Sequence, residues 1–425
     1  TVDDGNAAPH SQSRNQTATA LSTELPDLLD REGLEAFIDG PMASAPALCV
    51  MAIQLERVSA AESENDQPAT SLDDPVATLA AQDGLRKGVW ARLGPDRFVC
   101  AFADLTDAEG LGLAETTLNA AGSANSLEIT IGLAAYPTVN YSRRQTIENA
   151  EKALEHGTFF GPGTITRFDA VSLNISGDRR YQNGDIQGAV DEFKKGLLID
   201  PTNANLHNSL GVCYGVLQDY DNALAAFENA NWLAPEEVMA IYNKGYVFLL
   251  KDNADQALEC FLEADRREPD VFEVVFHIGQ IYMDMDQIGL ARSYLEAATR
   301  ANNRSGAAFK MLGACLDRLG LTKEAVQAYK GAVKINPEDA PSLSTLGRLY
   351  MEREESLDVA EVLCRQSVRL EPENGLYRHR LATAYLNQGK LADALSAFEA
   401  AVARGHDSQA EIEATQNRLM AAKAS

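Results

Sequence analysis

Cysteine and histidine are the side chains of this chain whose chemistry depends most strongly on spacing. The cysteines are Cys49, Cys100, Cys213, Cys260, Cys315 and Cys364. The histidines are His10, His156, His207, His277, His379 and His406. No two cysteines form a CxxC pair, and the histidines lack the short intervals that zinc sites require. The sequence therefore predicts no metal site, no cofactor and no disulfide framework, and it favours small buried thiols.

The charge of the chain disfavours several classes of ligand. The chain has 37 Lys and Arg residues against 62 Asp and Glu residues, a net charge of −25. Nucleic-acid binding needs clustered basic residues, so nucleic acid is not expected as the main ligand, and an anionic membrane surface is disfavoured as well. No run of 18 apolar residues is available for membrane insertion. Because residues 1–23 are polar, the expected location is the cytoplasm.

Five prolines mark a repeat in the second half of the chain. They are Pro201, Pro235, Pro269, Pro337 and Pro372, separated by 34, 34, 68 and 35 residues. A fixed period of about 34 residues is typical of helix-turn-helix arrays, in which Pro ends the second helix of each unit. Such arrays bind other proteins along an extended surface and rarely catalyse reactions.

Small and large side chains recur at fixed places within each period. The small residue of the first helix is Gly177, Gly211, Gly245, Gly279, Gly313 or Gly347. Alanine and then a large side chain follow in the second helix, as in Ala223 and Phe227. This pattern matches L-G-x2-Y, A-x3-F and P, so residues 170–406 are identified as seven units of the tetratricopeptide repeat (TPR) family. The resemblance implies an all-α superhelical solenoid in which small residues let helices approach closely.

In the TPR family the first helix of each unit lines a groove. The corresponding apolar face comprises Met239, Tyr242, Tyr246, Leu249, Phe276, Gln280 and Met283. The face then becomes basic, through Lys310, Arg348, His379 and Arg380. Within a helix the residues of this face are spaced by three or four positions and so share one side, and Arg380 lies beside His379. The hypothesis is a partner peptide or helix whose apolar stretch lies near Tyr242 and Phe276 and whose acidic part lies near Lys310 and Arg348.

An alternative stays open for the aromatic residues of this face. Aromatic stripes at helical spacing usually belong to a core. Tyr242 and Phe276 would then pack on neighbouring helices and would not contact a partner.

Two irregularities and a terminal helix complete the array. Asn303 stands where Pro is expected, and one extra residue occurs near Glu354, so both sites are expected to perturb the superhelix. Residues 407–425 are expected to form a polar capping helix. Its docking residues are predicted to be Ile412, Leu419 and Met420.

The first 170 residues lack the period and are expected to form a separate domain. Residues 1–25 are polar and are expected to be mobile, and residues 59–75 are expected to form an acidic loop or insert. Elsewhere helices and strands alternate, which predicts an α/β or α+β domain over residues 26–169. Strands are predicted at 47–55, 127–136 and 164–168, a hairpin at 90–102, and helices at 27–38, 105–121 and 143–156.

Three segments of this domain follow a characteristic order. They are Arg92–Phe98 (RLGPDRF), Glu128–Ala134 (EITIGLA) and Glu148–Leu154 (ENAEKAL). They resemble, respectively, the R-x-G-G-D-E-F hairpin, the strand ending in S-I-G-I-A and the A-D-x-A-L helix of the GGDEF family, the bacterial diguanylate cyclase fold. The resemblance covers residues 26–169 and implies a mostly antiparallel sheet flanked by helices.

The same resemblance implies a catalytically inactive domain. In the family, carboxylates of the hairpin and of the first strand hold two magnesium ions. Here Arg97 replaces the hairpin acid, and the first-strand position aligns with Gln54, with Glu56 two residues further on. Pro95 replaces a glycine and removes an N–H where guanine must approach, and the family's Lys aligns near Thr158. The degenerate motif is Gly94, Pro95, Asp96, Arg97 and Phe98.

The function expected from the sequence is that of a non-enzymatic adaptor or scaffold in bacterial signalling. Its partner would be a protein or peptide in the repeat groove. One alternative is a regulatory receptor that binds a nucleotide such as cyclic di-GMP in the first domain, and a residual diguanylate cyclase is a further one. The direct step from Asp169 to Ala170 predicts a fixed orientation of the two domains.

Overall fold

A computed structural model of the chain describes residues 28–57, 79–80, 84–123 and 127–424. The segments predicted to be mobile, residues 1–25 and 59–75, lie outside the described residues. The chain divides into two compact units, Thr1–Ala234 and Pro235–Ser425.

The first unit begins with a mixed β-sheet. Its elements are α1 (Arg31–Asp39), β1 (Leu48–Arg57), a 3-10 turn (Leu85–Lys87), β2 (Val89–Arg92), β3 (Arg97–Ala103), α2 (Asp107–Ser123), β4 (Leu127–Tyr136), α3 (Gln145–Thr158) and β5 (Ile165–Arg167). The strand order is β2-β3-β1-β4-β5. Pairing is antiparallel except between β4 and β5, which are parallel. This sheet confirms the mixed helix-and-strand region that the sequence predicts before the repeats.

Alternating side chains of β1 pack on both faces of the sheet. Met51 and Ile53 belong to the cluster that contains Ala114 of α2. Val50 belongs to the cluster that contains Leu34 of α1 and residues of α3. Both faces of β1 are therefore buried, which explains its nearly continuous apolar sequence.

Four further helices complete the first unit, and eleven form the second. In the first unit they are α4 (Ala170–Gln182), α5 (Ile186–Ile199), α6 (Ala204–Val216) and α7 (Tyr220–Leu233). In the second they are α8 (Val238–Leu250), α9 (Ala254–Arg267), α10 (Phe272–Asp284), α11 (Ile288–Ala301), α12 (Gly306–Arg318), α13 (Thr322–Ile335), α14 (Ala340–Glu352), α15 (Leu357–Leu370), α16 (Gly375–Asn387), α17 (Leu391–Val402) and α18 (Gln409–Ala424). Helices α4 to α17 form the seven pairs that the period predicts.

In three consecutive pairs, the residue that caps the start of the second helix also recurs with the repeat period. The side chains of Asp185, Asp219 and Asn253 each accept a hydrogen bond from a backbone N–H of the first turn of α5, α7 and α9. These residues are 34 positions apart, so the cap is part of the repeated sequence. Such a cap contributes about 1 kcal/mol to helix stability.

Glycine in the first helix of a pair permits close contact with the second helix. A Cβ atom on Gly211 would lie 2.6 Å from Cε1 of Phe227, and one on Gly313 would lie 2.8 Å from Cδ2 of Tyr329. Phe227 is buried as a result. The contact confirms the prediction that small residues allow the helices of a unit to approach closely.

The two irregular repeats differ in their local effect. The extra residue after α14 is accommodated by two left-handed residues, Glu354 and Ser356, with φ of 52° and 48°. Asn303 lies two residues after the end of α11, the same distance at which Pro269 follows α9. The expected perturbation is therefore absent from the end of α11.

The terminal helix α18 docks through fewer residues than the sequence predicts. Ile412 is buried in a cluster with Phe398. Met420 is 68% exposed, so its predicted docking role is wrong. Leu419 is only partly buried. Ile412 in the first turn of the helix meets α17, and Thr415 in the following turn is buried as well.

Candidate peptide-binding site

The predicted apolar face of α8 divides into exposed and packed side chains. Met239 and Tyr246 are 42% and 43% exposed. Tyr242 and Leu249 are partly buried and pack against a cluster that contains Ile241. The exposed pair therefore remains available for contact with another molecule, whereas the packed pair also supports the fold.

The corresponding residues of α10 are less accessible. Phe276 and Met283 pack against a cluster that includes Leu312. Phe276 also packs beside Val275. The alternative interpretation of Tyr242 and Phe276 as packing residues thus has direct contacts in its favour. Gln280, on the same helix, is half-buried.

His277 joins the aromatic rings of α8, α9 and α10. Its ring centroid lies 5.9 Å from that of Tyr242, 5.8 Å from Tyr246 and 5.5 Å from Phe261. Phe276 contacts the same imidazole at 5.7 Å. We call these five residues the aromatic cluster. Edge-to-face and offset ring contacts of this kind stabilise the packing of adjacent helices.

Burial changes the chemistry of His277. Desolvation lowers the pKa of its imidazole, although Gln280 and Glu273 act in the opposite direction. Among the described residues its Nδ1 atom has no hydrogen-bond partner. Sequence reasoning missed this residue because it lies next to Phe276 and outside the positions assigned to the groove.

Two of the predicted basic residues are already neutralised. Lys310 Nζ lies 3.1 Å from Asp339 Oδ1. Arg348 forms ion pairs with Asp317 and Glu352. Their charges are therefore partly compensated within the repeats, which weakens them as the principal binding site for an acidic partner.

Arg380 and His379 lie in a different environment. Arg380 Nη1 donates hydrogen bonds to Ser344 Oγ at 3.0 Å and Thr345 Oγ1 at 3.2 Å. His379 packs on His406, with ring centroids 4.4 Å apart. Sequence reasoning missed His406 because it follows the last complete repeat. These residues line a cavity of about 380 Å³ together with Arg348.

The degenerate hairpin brings together residues that the GGDEF resemblance singles out. In the sheet, Gln54 of β1 is opposite Arg97 of β3. Arg97 Nε donates to Gln54 Oε1 at 2.6 Å, and the Gln54 amide also donates to Asp96. Gly94 and Pro95 lie in the turn between β2 and β3. A cation and an amide thus occupy neighbouring positions at which the resemblance places carboxylates.

A second cavity lies within the first unit. It measures about 440 Å³ and is lined by Arg97, Phe98 and Thr158, with residues of α3 and α4. Three glutamates of α3 also line it, at positions 148, 151 and 155. Lys152, at its edge, is paired with Glu192 at 2.6 Å. The mixed charge offers a phosphate group both attraction and repulsion.

The cysteines do not line either of these cavities. All six cysteines are buried and free, as predicted. Burial raises the pKa of Cys49 to about 12 and that of Cys213 to about 11, so these thiols are poor nucleophiles at neutral pH.

Over the described ranges, no cluster of three potential metal ligands occurs. None of the described helices combines the length and hydropathy needed to cross a membrane.

Family models match the helical part of the chain. A model described as TPR repeat matches residues 177–215, and one described as tetratricopeptide repeat matches residues 276–340 and 345–418. The chain contains TPR units. The matched segments lie within the helical region from α4 to α18, and the TPR solenoid forms the larger part of the described fold.

Curated proteins similar to this chain share only part of it. BBSome complex member BBS4 of Bos taurus is 24% identical over 192 residues, which cover 45% of this chain and 35% of that protein. Anaphase-promoting complex subunit 3 of Schizosaccharomyces pombe is 27% identical over 146 residues, which cover 34% of this chain and 22% of that protein. The matches thus span about a third or less of these relatives.

Two solved structures also resemble the chain. Pseudomonas aeruginosa pilF is 22% identical, with a TM-score of 0.45, and the match covers 50% of this chain and 97% of that chain. YrrB, described as a TPR protein with an unusual peptide-binding site, is 22% identical, with a TM-score of 0.40, and covers 44% of this chain and 96% of that chain.

Proposed function

We propose that this protein is a non-enzymatic adaptor whose TPR units bind a peptide or helix of a partner protein. The observation that carries the proposal is the exposure on α8 of Met239 and of Tyr246, which is itself a member of the aromatic cluster. Adjacent exposed apolar and aromatic side chains are typical of protein-binding surfaces. Two relatives support the same class of function, since they are named as members of protein complexes.

The proposal is tested by affinity capture from the source cell. A Met239→Ser/Tyr246→Ser variant should lose a partner that the unaltered chain retains, because it removes the exposed apolar side chains of α8. Circular dichroism checks that the variant is folded, since Tyr246 also contacts Tyr242 and His277. Val359→Ser/Val362→Ser is the matched control, since these valines are 45% and 53% exposed on a second helix. Equal capture of every partner by all three proteins would contradict the proposal.

We infer that the sheet-containing region is a catalytically inactive GGDEF-like module. The hydrogen bond between Arg97 and Gln54 supports this inference, because the GGDEF resemblance would assign magnesium-binding carboxylates to these two positions. Incubation with GTP and Mg²⁺ should therefore yield no cyclic dinucleotide. Formation of a cyclic dinucleotide would contradict this inference and would favour a residual diguanylate cyclase.

A second candidate function is a nucleotide-binding receptor. The cavity beside Arg97 and Thr158 favours it, because the two residues occupy positions that the GGDEF resemblance assigns to nucleotide chemistry. Calorimetry with cyclic di-GMP and with GTP distinguishes the candidates. Heat of binding at about 100 μM ligand would support the receptor function. If no heat is measured, the adaptor stays the favoured function.

A further inference from the structure

The pocket around Arg380 differs from the other basic sites of the repeats in its charge balance. We call Arg348, His379, Arg380 and His406 the basic pocket; this cavity of about 380 Å³ is also lined by Leu376 and by Glu352, whose carboxylate is paired with Arg348. Arg348 is paired with two carboxylates. Within the described part of the chain, the side-chain hydrogen bonds of Arg380 go to the hydroxyl groups of Ser344 and Thr345, and it forms no ion pair with a carboxylate.

A half-buried guanidinium without a carboxylate is unfavourable in the free protein. Burial lowers the pKa of Arg380, and the positive charge of Arg348 lowers it further. Guanidinium has five N–H donors arranged to bind a planar carboxylate through two parallel hydrogen bonds. A carboxylate that entered the cavity would compensate the charge and use donors that the two hydroxyl groups do not occupy.

The two histidines form the opposite part of the pocket. Nδ1 of His379 lies 2.8 Å from Ser408 Oγ, and Nδ1 of His406 lies 2.9 Å from the same oxygen. The serine hydroxyl has one proton, so it can donate to only one imidazole, and the other must donate to it. Ser408 is fully buried and fixes both rings in one orientation.

We propose that the basic pocket binds the side-chain carboxylate of an Asp or Glu in the partner peptide, with Arg380 as its principal contact. The proposal rests on the adaptor function and names the chemistry of its partner. The expected contact for an acidic side chain is therefore Arg380, whereas the sequence favoured Lys310 and Arg348, which form ion pairs with Asp339 and Asp317. Leu376 is 40% exposed at the same cavity, so an aliphatic residue beside the acidic one would complement it.

The proposal is tested with the full chain and an array of acetylated, amidated dodecapeptides of random sequence. Bound peptides should be enriched in Asp or Glu next to an aliphatic residue. Replacing that acid by its amide should weaken binding to the unaltered chain about tenfold or more, because a charge-assisted hydrogen bond is lost. Arg380→Met should abolish the difference between the acid and the amide.

Controls separate the pocket from overall charge and from folding. Arg369→Met removes the same charge from an exposed position on α15 and should leave acid selectivity unchanged. Arg380→Lys keeps the charge but loses the two-pronged geometry, so it should bind with reduced selectivity. Circular dichroism establishes that each variant is folded before binding is compared.

The outcomes distinguish this inference from the adaptor function. Failure of every peptide to bind would overturn both. The inference alone would be overturned if the Met239→Ser/Tyr246→Ser variant loses binding while neither the acid-to-amide replacement nor Arg380→Met changes the affinity. Non-amidated peptides and phosphoserine peptides, both without Asp or Glu, are measured beside the array, and tighter binding of either than of the acidic peptides would likewise overturn it.

Discussion

His277 links the packing of one residue to the pH dependence of stability. Its imidazole is surrounded by the rings of the aromatic cluster, and desolvation is the largest influence on its lowered pKa. In the unfolded chain the imidazole has its ordinary pKa of about 6.5. The unfolded state therefore binds more protons as the pH falls, and the free energy of unfolding falls as the pH drops through that value.

We expect His277→Phe to reduce this loss of stability on acidification. Phenylalanine preserves the aromatic contacts and cannot be protonated. The measurement is the free energy of unfolding by urea at pH 7.5 and pH 5.5 for the two proteins. His207→Gln is the control, because His207 is hydrogen-bonded only to a backbone carbonyl near the surface. Identical pH dependence in the His277→Phe variant and the unaltered chain would refute the assignment.

Single residues also mark the limit of what the sequence could predict about the site. In the sequence, Lys310, Arg348 and Arg380 look alike, because each is a basic residue in the first helix of its unit. The structure separates them because Lys310 meets Asp339, 29 residues away, and Arg348 meets Asp317, 31 residues away. Such partners come from neighbouring helix pairs, so charge compensation depends on how units stack.

At the scale of helices, the close contact in each pair gives a direct test of the packing. Gly211 and Gly215 lie one turn apart on α6. A Cβ on Gly211 would meet Phe227, whereas a Cβ on Gly215 would meet nothing within 4 Å. Alanine at either position improves helix propensity by up to about 1 kcal/mol, but overpacking costs about 1–3 kcal/mol.

Gly211→Ala should therefore lower thermal stability, and Gly215→Ala should leave it unchanged or raise it slightly. The melting temperatures of the two variants, measured by circular dichroism, check this expectation. Because both substitutions add the same methyl group to the same helix, their difference reports the contact with Phe227. A more stable Gly211→Ala variant would show that the helices can separate without loss.

The elements follow from the sequence more directly than their docking does. Strand β4 and the start of α4 at Ala170 match their predicted positions, because alternation and capping are local signals. Helix α11 ends at the expected place although Asn303 replaces Pro. Just beyond this end, the side chain of Asn302 accepts a hydrogen bond from Arg304 N at 3.0 Å. The exposure of Met420 could not be predicted in this way, since it depends on which helix covers each face of α18.

The compact units of the chain do not divide where the sequence places the domain boundary. The sequence places a domain boundary at residues 169–170, whereas the compact units divide at Ala234 and Pro235. One reason is the buried pair between Lys152 of α3 and Glu192 of α5, and another is the pair between Arg179 and Glu155 at 2.7 Å. A period detects where helix pairs begin, but it contains no information on such contacts.

The net charge of −25 acts on the whole molecule, whereas Arg380 acts over a few ångströms. An acidic peptide is repelled at long range, and added salt screens this repulsion because the Debye length shortens to about 10 Å at 0.1 M. The association rate constant of an acidic, amidated peptide should therefore rise between about 20 and 200 mM NaCl. Its dissociation rate constant should rise as well, since the same salt weakens the bond to Arg380.

Stopped-flow fluorescence with a labelled peptide from the array measures both rate constants. The matched amide peptide is the control, and its association rate should change little because it carries no charge at that position. An association rate that falls with added salt would contradict the expectation. It would mean that the attractive field of the basic pocket reaches further than the repulsion from the 62 acidic residues of the chain.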